Sequence, residues 1–376
     1  MAYFIGLMSG TSMDGVDAVL CDITDNHVNT LDSISYPYPA PLLAILHSLC
    51  TPGSEEINLM GSADRAVADT FARAVSQLLD KHNLTANDIV ALGSHGQTVR
   101  HHPGGVAVHR NASTFGFTLQ IGDPNTLAAQ TGIDVISDFR RKDIALGGEG
   151  APLVPAFHQA VFAREQASRV VVNIGGIANI SVLAPKHSAQ AVTGFDTGPG
   201  NTLMDAWCKQ HTGRIYDEGG HWAAGGHTDN RLLKRMLDDP YFHRPAPKST
   251  GREHFNLKWL ADVMTPLVLK PEDVQATLLA LTVTTIADAI HQQSVAGDVI
   301  VCGGGAFNNA LMAALSDALP KHKVTPSTAA GIHPQWVEGA AFAWLAYAFT
   351  QRLPGNVPAV TGASRPAVLG TLTPAS

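Results

Sequence analysis

Residues 3–23 read YFIGLMSGTSMDGVDAVLCDI. An apolar run over Tyr3–Met8 is stopped by the small and polar residues 9–12, and a second apolar run covers Val16–Ile23. Short apolar runs bounded by Gly and Ser are typical of strands that a tight turn connects. The stretch therefore predicts a strand, a glycine turn and a return strand.

The same pattern occurs again in the second half of the chain. A β-branched run over Arg169–Asn173 is stopped by two glycines at 175–176, and Ile177–Leu183 is its return strand. Each half thus opens with a hairpin, Phe4–Ile23 in the first and Val170–Leu183 in the second. Two similar α/β halves, each presenting a glycine turn, predict a cleft in which the hairpins grip one phosphate chain.

Helical spacing of apolar residues predicts further elements and a division of the chain. Helices are expected over Met60–His82, Val274–Val295 and Val337–Thr350, and a strand over Ile89–Leu92 is expected to end at the turn 93–98. We expect a first α/β domain over residues 1–131, completed by the C-terminal helix and tail 345–376. The second α/β domain is expected over residues 132–344.

Composition limits the classes of protein to which the chain can belong. It has 376 residues, which favours two domains, and 45% of them are hydrophobic. Only 15% are charged and 35 are glycine, a composition typical of a compact α/β enzyme and not of a disordered chain. The formal net charge is −7 and the sequence shows no basic stripe, which argues against a nucleic-acid partner.

Cysteine usage and the N-terminus indicate the compartment. The four cysteines are widely scattered without metal-ligand spacing, which is typical of reduced thiols in the cytoplasm. The first residues lack the charged region and apolar run of a signal peptide. Because no run of about 18 apolar residues is present, we expect a cytoplasmic protein with no membrane partner.

Four glycine turns are expected at strand ends, over Gly10–Asp17, Gly175–Asn179, Gly198–Asn201 and Gly303–Asn308. A turn that cradles phosphate needs residues without Cβ, so that backbone N–H groups come close to the ligand. A lone glycine turn is more often structural, but four of them favour nucleotide binding. The sequence has neither a GxxxxGK[ST] motif nor a GxGxxG motif opening a helix after the first strand, and Lys248–Gly251 resembles only a fragment of a P-loop.

Asp196 ends a predicted strand directly before the glycine turn Gly198–Asn201. Its carboxylate could serve as a general base or as a ligand to a metal-bound water. It could equally cap the helix that follows, a common role for Asp in a turn. Asn201 is the better candidate for the cap because the periodic helical run begins at Thr202.

Other polar residues carry two interpretations each. Asp14 and Asp17 could hold the hydrated Mg²⁺ of ATP, or could be ordinary turn residues. His95 could contact sugar hydroxyls or phosphate, or be satisfied within a loop. Arg140, in the charged stretch 138–143, could bind an acidic substrate group or belong to a solvated loop. Glu338 opens the last helix, where the helix dipole favours an acid in any case.

The motifs as a set resemble the anhydro-N-acetylmuramic acid kinase family, and they cover nearly the whole chain in order. The matching stretches are Gly6–Asp17, Ser94–Thr98, Leu119–Asp123, Asp138–Arg140, Gly147–Pro155, Asn173–Ser181, Gly194–Asn201, Pro245–Arg252, Cys302–Gly305 and Thr361–Ser364. This family belongs to the actin, hexokinase and heat-shock-chaperone ATPase superfamily. The resemblance therefore implies an α/β protein with the two-domain actin-like or hexokinase-like ATPase fold and a cleft between the lobes.

The resemblance also implies a reaction and a set of residues. Water would open the internal bridge of 1,6-anhydro-N-acetylmuramic acid with Asp196 as the base, and the freed 6-oxygen would take the γ-phosphate of ATP. Mg²⁺ would be carried by ATP, near Asp14, with no metal ligand assigned in the protein. Arg140 would pair with the lactyl carboxylate of the sugar. The expected ATP-binding residues are Gly10, Thr11, Ser12, Met13, Asp14, Gly15, Val16, Asp17, Asn173, Gly175, Gly176, Gly198, Gly200, Asn201, Gly303, Gly304 and Gly305. The expected sugar-binding residues are His95, Gln97, Asp123, Arg140 and Glu338.

A homodimer is also expected. Two alternatives remain, another sugar or carboxylate kinase of the same fold, and a chaperone-like ATPase. The first would phosphorylate N-acetylmuramic acid or glucose without the anhydro bridge, and the second would respond to peptides.

Overall fold

The computed structural model describes residues 2–10, 13–106, 115–186, 188, 190–246, 248–293 and 297–376. The chain forms two compact units: the first comprises Met1–Val161 with Trp336–Ser376, and the second is Phe162–Gln335. Thr11 and Ser12, two of the predicted ATP-binding residues, lie outside the described residues.

Runs of strands and runs of helices follow one another along the chain. The strands are β1 Tyr3–Ser9, β2 Gly15–Thr24, β3 His27–Pro37, β4 Ile89–His102, β5 Phe117–Ile121, β6 Val135–Ser137, β7 Ser168–Ile174, β8 Ile177–Leu183, β9 Thr193–Pro199, β10 Gly297–Cys302, β11 Val324–Pro326 and β12 Thr371–Thr373. The α-helices are α1 Ala40–Leu49, α2 Glu56–His82, α3 Pro124–Thr131, α4 Arg141–Ala145, α5 Val154–Phe162, α6 Thr202–Thr212, α7 His221–Ala224, α8 Asn230–Leu237, α9 Leu257–Met264, α10 Pro271–Gln292, α11 Asn309–Ala318, α12 Val337–Thr350 and α13 Pro358–Thr361.

The first unit is built on a mixed sheet in the order β12-β6-β4-β1-β2-β3, with β5 paired to β4. The predicted hairpin is present, since β1 and β2 are antiparallel with Leu7 opposite Ala18, and β4 runs parallel to β1. Helix α2 buries Val67 and Phe71 against this sheet. Helix α12 approaches β1 so closely that a Cβ on Gly6 would overlap the carbonyl oxygen of Gly339, which explains a glycine inside a strand.

The second unit repeats the arrangement of the first. Its sheet has the order β11-β10-β7-β8-β9, in which β7, β8 and β9 are antiparallel neighbours and β10 and β11 run parallel to β7. Strands β9-β8-β7-β10-β11 therefore correspond one to one with β3-β2-β1-β4-β6. The internal repeat predicted from the two hairpins is a repeat of sheet topology.

The prediction that β4 ends at Leu92 is wrong, because the strand continues to His102 through the SHGQT motif. Gly96, with φ of 73°, lies within this strand beside a register shift between β1 and β4, and β5 pairs with the extension. Residues 94–98 are consequently held in a sheet and not in a free loop.

The boundaries between the compact units lie at 161/162 and 335/336, whereas the sequence predicted domain boundaries at 131/132 and 344/345. Strand β6, at Val135–Ser137, pairs with β4, so the segment after residue 131 is attached to the first sheet. Helix α12 begins at Val337 and packs on β1.

One helix of the described residues, α10, is long and apolar enough to cross a membrane. Its apolar window is 78% buried, and Leu278, Leu281 and Ile286 belong to the core of the second unit. These properties are those of a core helix, which passes the same test of length and composition.

Candidate active site

The first glycine turn is held from beneath by Gln97 of β4. The Gln97 Oε1 atom accepts a hydrogen bond from Ser9 Oγ at 2.6 Å, and its Nε2 donates to the carbonyl oxygen of Gly10 at 3.2 Å. Tyr38 donates to Ser9 Oγ at 3.0 Å. Gln97 is fully buried and its amide positions the turn, while the sugar contact that the resemblance implies stays a prediction.

The side chains of this turn divide between core and surface. Met13 and Val16 are buried in the core of the first unit, so they can offer a phosphate only their backbone. Met13 has φ of 59°, and its N–H donates to the carbonyl oxygen of Gly10 at 3.2 Å. Asp14 and Asp17 are both exposed, and Asp17 accepts a hydrogen bond from Ser35. Partial desolvation of the Asp17 carboxylate by its neighbours and the nearby charge of Asp14 hold its pKa above the ordinary value, although the Ser35 bond lowers it.

The carboxylates near the first glycine turn fit a Mg²⁺ ion that would be bound together with a nucleotide. Among the described residues no group of three or more His, Cys, Asp or Glu side chains converges as a metal cage. Mg²⁺ is commonly bound through one or two carboxylates together with phosphates and water. Asp14 and Asp17 supply such a pair at the first glycine turn. His101 is engaged with Thr118 Oγ1, and its pKa is lowered to about 4 by burial and the positive charge of Arg140.

His95, which is buried, and Arg140, which is half-buried, form a pair in the first unit. His95 Nδ1 lies 3.1 Å from the carbonyl oxygen of Ser9, and Nε2 lies 3.1 Å and 2.9 Å from Nε and Nη2 of Arg140. Arg140 Nη1 donates to the carbonyl oxygen of Gly150 at 2.7 Å. Burial, assisted by Arg140, lowers the pKa of His95 to about 3, so the imidazole is neutral and orients the arginine.

Arg140 remains a cation in this setting. Burial lowers its pKa to about 10, against the opposing charges of Glu338 and Asp143. Glu338 lies in the first turn of α12 and is half-buried. The structure therefore brings together His95, Arg140 and Glu338 from three separate segments of the sequence.

Asp123 has the role of a helix cap. Its carboxylate accepts hydrogen bonds from the backbone N–H groups of Asn125 and Thr126, both at 3.1 Å, at the start of α3. Burial opposes ionisation of Asp123, but bonds from Thr126 and Asn125 outweigh it and hold the pKa below its ordinary value. The contact between Asp123 and the sugar that the resemblance implies stays a prediction.

A cavity of about 210 Å³ lies beside His95, next to the middle of β4 and the end of β6. The hydroxyl of Ser94 lines it, is 1% exposed, and has no hydrogen-bond partner among the described residues. Arg141 and Asp138 form an ion pair on its wall. The cavity therefore offers a buried hydroxyl that a ligand could bond. Ser94 belongs to the motif SHGQT, residues 94–98, but was not itself predicted to bind a ligand.

In the second unit, two of the predicted glycine turns are bonded directly to each other. The N–H of Gly200 donates to the carbonyl oxygen of Gly176 at 2.9 Å, and the N–H of Asn201 donates to that of Gly175 at 2.8 Å. A Cβ on Gly200 would overlap Gly175, so the contact requires glycine. Asn201 precedes α6 as predicted, but its side chain donates to the carbonyl oxygen of Ile174 and does not cap the helix.

The remaining predicted turn joins this group from β10. Gly303 has φ of 80° and packs against Asn173 and Ile174, and Gly304 lies next to the amide of Asn201. A Cβ on Gly305 would overlap the side chain of Ile174, so this glycine serves packing. Gly198, with φ of 148°, approaches the ring of Phe242.

The joined turns border a cavity of about 330 Å³. Asn201 and Gly304, two of the predicted ATP-binding residues, lie on its wall. The rest of its lining was not predicted: Met204, Asp205, Tyr216, Asp217, Gly219, Phe307, Asn308 and Gln335. Of these residues, only Asp205 could have been predicted from the sequence, because it lies one helical turn after the glycine turn Gly198–Asn201.

Asp196 lies on β9 and is held by the segment that follows α8. Its Oδ2 accepts a hydrogen bond from the N–H of Thr250 at 3.1 Å, and its own N–H donates to the carbonyl oxygen of Lys248 at 3.1 Å. Burial, with the charge of Glu253 and against the Thr250 bond, raises its pKa from 3.8 to about 6. Helix α6 begins only at Thr202, so Asp196 does not cap it. The carboxylate has the properties of a general base near neutral pH.

Comparison with known proteins agrees with these motifs. The family model for anhydro-N-acetylmuramic acid kinase matches residues 2–375. The anhydro-N-acetylmuramic acid kinase of Shewanella loihica is 55% identical over 99% of this chain and 98% of its own length. Those of Shewanella sediminis and Shewanella oneidensis are both 54% identical, covering 99% and 98% of both chains respectively. The chain therefore belongs to the anhydro-N-acetylmuramic acid kinase family.

Proposed function

We propose that this chain is an ATP-dependent kinase that opens the 1,6-anhydro bridge of 1,6-anhydro-N-acetylmuramic acid and phosphorylates the 6-oxygen. The products are N-acetylmuramic acid 6-phosphate and ADP, and the reaction serves the recycling of cell-wall peptidoglycan. Family membership supports the substrate. The observation that carries the mechanism is the half-buried carboxylate of Asp196, with a pKa of about 6, on the strand that leads into the joined glycine turns.

In the hydrolytic half, Asp196 removes a proton from water as the water oxygen bonds to the anomeric carbon. The bond between that carbon and the 6-oxygen breaks, and its electron pair stays on the 6-oxygen. A base whose pKa lies near the working pH is effective in such a step and contributes about 10²–10⁴-fold in rate. The N–H of Thr250 keeps the carboxylate oriented throughout.

In the transfer half, the 6-oxygen bonds to the γ-phosphorus while the bond to the bridging oxygen of ADP breaks. Backbone N–H groups of the glycine turns stabilise charge on the phosphates. When bound with ATP, Mg²⁺ neutralises phosphate charge, and Asp14 and Asp17 are the residues that would contact its water ligands. The cavity of about 330 Å³ takes the adenosine, with Asp205 and Asp217 as acceptors for its hydroxyl or amino groups.

The first unit binds the sugar. The charge of Arg140, fixed by His95, pairs with the lactyl carboxylate, as Arg does in charge-assisted recognition of carboxylates. Glu338 accepts from sugar hydroxyls, and the cavity beside Ser94 takes a polar substituent of the ring. Gln97 holds the first glycine turn, and Asp123 caps α3.

Mass spectrometry of the products formed in oxygen-18 water tests both halves of the reaction. With ATP and the anhydro sugar, we expect one labelled oxygen at the anomeric position and one unlabelled phosphate on the 6-oxygen. A product that carries the label but no phosphate would mean that the protein is a hydrolase. Phosphorylation of N-acetylmuramic acid, which lacks the anhydro bridge, at an equal rate would mean that it is a plain hexose kinase. We further propose that the enzyme is a homodimer in the cytoplasm. Light scattering of the purified chain tests the oligomeric state.

A further inference from the structure

Arg252 packs against one of the joined glycine turns of the second unit. A Cβ built on Gly176 would lie 3.1 Å from Nη2 and 3.3 Å from Nε of Arg252. Any side chain at position 176 would therefore press on the guanidinium. The absence of a Cβ lets a positive charge lie directly on the turn.

The turn at this contact is the one joined to Gly200. The carbonyl oxygen of Gly176 accepts from the N–H groups of Gly200 and Thr202, at 2.9 Å and 3.1 Å. The carbonyls of the turn are thus used inside the protein. Arg252 therefore adds a positive charge beside a turn whose carbonyl oxygens are already bonded.

The charge of Arg252 acts on Asp205 in the wall of the cavity that adjoins the turns. Burial raises the pKa of Asp205 to about 6; the positive charge of Arg252 opposes this shift and Asp217 adds to it. Both carboxylates line the cavity of about 330 Å³. Arg252 itself is exposed and, within the described part of the chain, makes no ion pair at 4 Å or less.

The same short segment is fastened to the proposed base. Residues 248–253 contact Asp196 through the carbonyl oxygen of Lys248 and the N–H of Thr250, and the charge of Glu253 acts on the Asp196 carboxylate. One segment therefore connects the carboxylate that activates water with the arginine on the phosphate turn.

We infer that Arg252 is a further catalytic residue, which binds the equatorial oxygens of the γ-phosphoryl group during its transfer. This inference rests on the proposed kinase function. As the phosphorus leaves the bridging oxygen of ADP and bonds to the 6-oxygen, charge spreads over its three equatorial oxygens. The guanidinium presents two parallel N–H donors to such oxygens, which a lysine ammonium cannot reproduce.

Arg252→Ala and Arg252→Lys test the assignment, with Arg231→Ala as the matched control. Arg231 is an exposed arginine of the same unit whose ion pair with Asp229 lies on the surface. Turnover with ATP and the anhydro sugar should fall roughly 10²–10³-fold in Arg252→Ala, the effect of losing one donor to transition-state charge. Arg252→Lys should retain an intermediate rate, and Arg231→Ala should match the unmodified enzyme.

Binding measurements separate this role from a structural one. The affinity of Arg252→Ala for Mg-ADP should stay within about threefold, while its affinity for Mg-ADP with aluminium fluoride should fall at least about tenfold, because only the second mimics the transferring group. Equal weakening of both complexes together with a lower melting temperature would mean that Arg252 only supports the turn, and would overturn the inference. So would unchanged affinity for both.

The two nucleotide complexes do not involve the sugar, so they decide on Arg252 independently of the acceptor. If the unmodified protein binds both complexes but does not phosphorylate the anhydro sugar, the proposed function fails. The difference between the two affinities still supports or rejects the arginine in that case.

Discussion

His95 Nε2 lies 3.1 Å and 2.9 Å from two nitrogens of Arg140, and His95 Nδ1 lies 3.1 Å from the carbonyl oxygen of Ser9. Both ring nitrogens are therefore used inside the first unit. A neutral imidazole that donates to Ser9 must accept from Arg140, so the tautomer is fixed by its neighbours. The histidine of the SHGQT motif accordingly connects the first glycine turn to the cation proposed for the lactyl carboxylate.

Replacing Arg140 should weaken binding of the sugar and leave the nucleotide nearly unaffected. Arg140→Ala should raise the KM for the anhydro sugar at least about tenfold, the loss expected for a hydrogen bond to a charged group worth ~1.5–3 kcal/mol. His95→Ala should act in the same direction but less, because the arginine remains and loses only its orientation. Steady-state kinetics with each substrate varied in turn measures both effects.

A double variant shows whether the two residues act as one group. The effects of His95→Ala and Arg140→Ala should be clearly less than additive, since the first acts through the second. His47→Ala, an exposed histidine of the same unit, is the control for loss of an imidazole. A larger rise in the KM for ATP than for the sugar would place Arg140 on the nucleotide.

Asp196→Asn should separate binding from chemistry. The amide oxygen can still accept from the N–H of Thr250, so the fold and the affinity for ATP should be retained. Turnover should fall at least about 10²-fold, as expected when a general base is lost. Kinetics combined with calorimetric titration of ATP makes the comparison, and near-normal turnover would remove Asp196 from the mechanism.

The same variant should not be less stable at pH 8. The pKa of Asp196 in the folded chain, about 6, lies above its ordinary value of 3.8, so its ionisation opposes folding. This cost is absent below pH 3.8 and complete above about pH 6. Thermal unfolding at pH 8 should therefore give an equal or higher Tm for Asp196→Asn, and a large decrease would show that the charge itself is needed by the fold.

The pH dependence of the unmodified enzyme should report the ionisation of Asp196. A base must be ionised to remove a proton, so kcat/KM should rise towards a plateau with an apparent pKa of about 6. His95 has a pKa of about 3 and stays neutral across this range. An acidic limb centred near 3.8 instead would indicate an Asp196 in a water-like environment.

The hairpins were predictable because their signal is local. Apolar runs and glycine turns follow one another within about twenty residues, and both hairpins occur as the sequence indicated. The SHGQT motif was misinterpreted because glycine in a polar stretch normally marks a turn, whereas Gly96 occupies a left-handed position within a continuing strand. Only the pairing of β4 with β5, residues 117–121, shows that residues 94–98 continue the strand and do not form a turn.

The site was less predictable than the fold, since its parts come from distant segments. The pattern singled out Asp196 correctly as a non-capping carboxylate, but its raised pKa depends on burial and on Glu253, far along the chain. Asp123 and Gln97 have residue types that suit sugar binding, yet the structure uses one as a helix cap and the other beneath a turn. The larger cavity takes its wall from Tyr216 and Phe307, which no local pattern connects.

Gln97→Ala should destabilise the first unit and weaken ATP binding together. The change removes one of the hydrogen bonds made by Ser9 Oγ and one of those made by the carbonyl oxygen of Gly10, while the bonds to Gly15, Tyr38 and Met13 remain. Loss of these two buried bonds should cost about 1–3 kcal/mol in the free energy of unfolding. Because the Gly10 turn loosens, the KM for ATP should rise as well. Urea unfolding and kinetics measure the two effects. Gln130→Ala, whose exposed amide lies 3.5 Å from Asp69, is the control, and equal effects of both variants would contradict the role of Gln97.

Ser94→Ala distinguishes a ligand-binding hydroxyl from a structural one. The Ser94 hydroxyl is buried without a partner among the described residues, which is costly unless a ligand completes it. Removing it should leave the free energy of unfolding unchanged or slightly higher, while the KM for the anhydro sugar rises roughly 2–10-fold through loss of one neutral hydrogen bond. Ser76→Ala, which removes a hydroxyl bonded within helix α2 to the carbonyl oxygen of Ala72, should leave the KM unchanged. If Ser94→Ala instead lowers stability and spares the KM, the hydroxyl serves the fold, and the cavity beside His95 is not where the sugar binds.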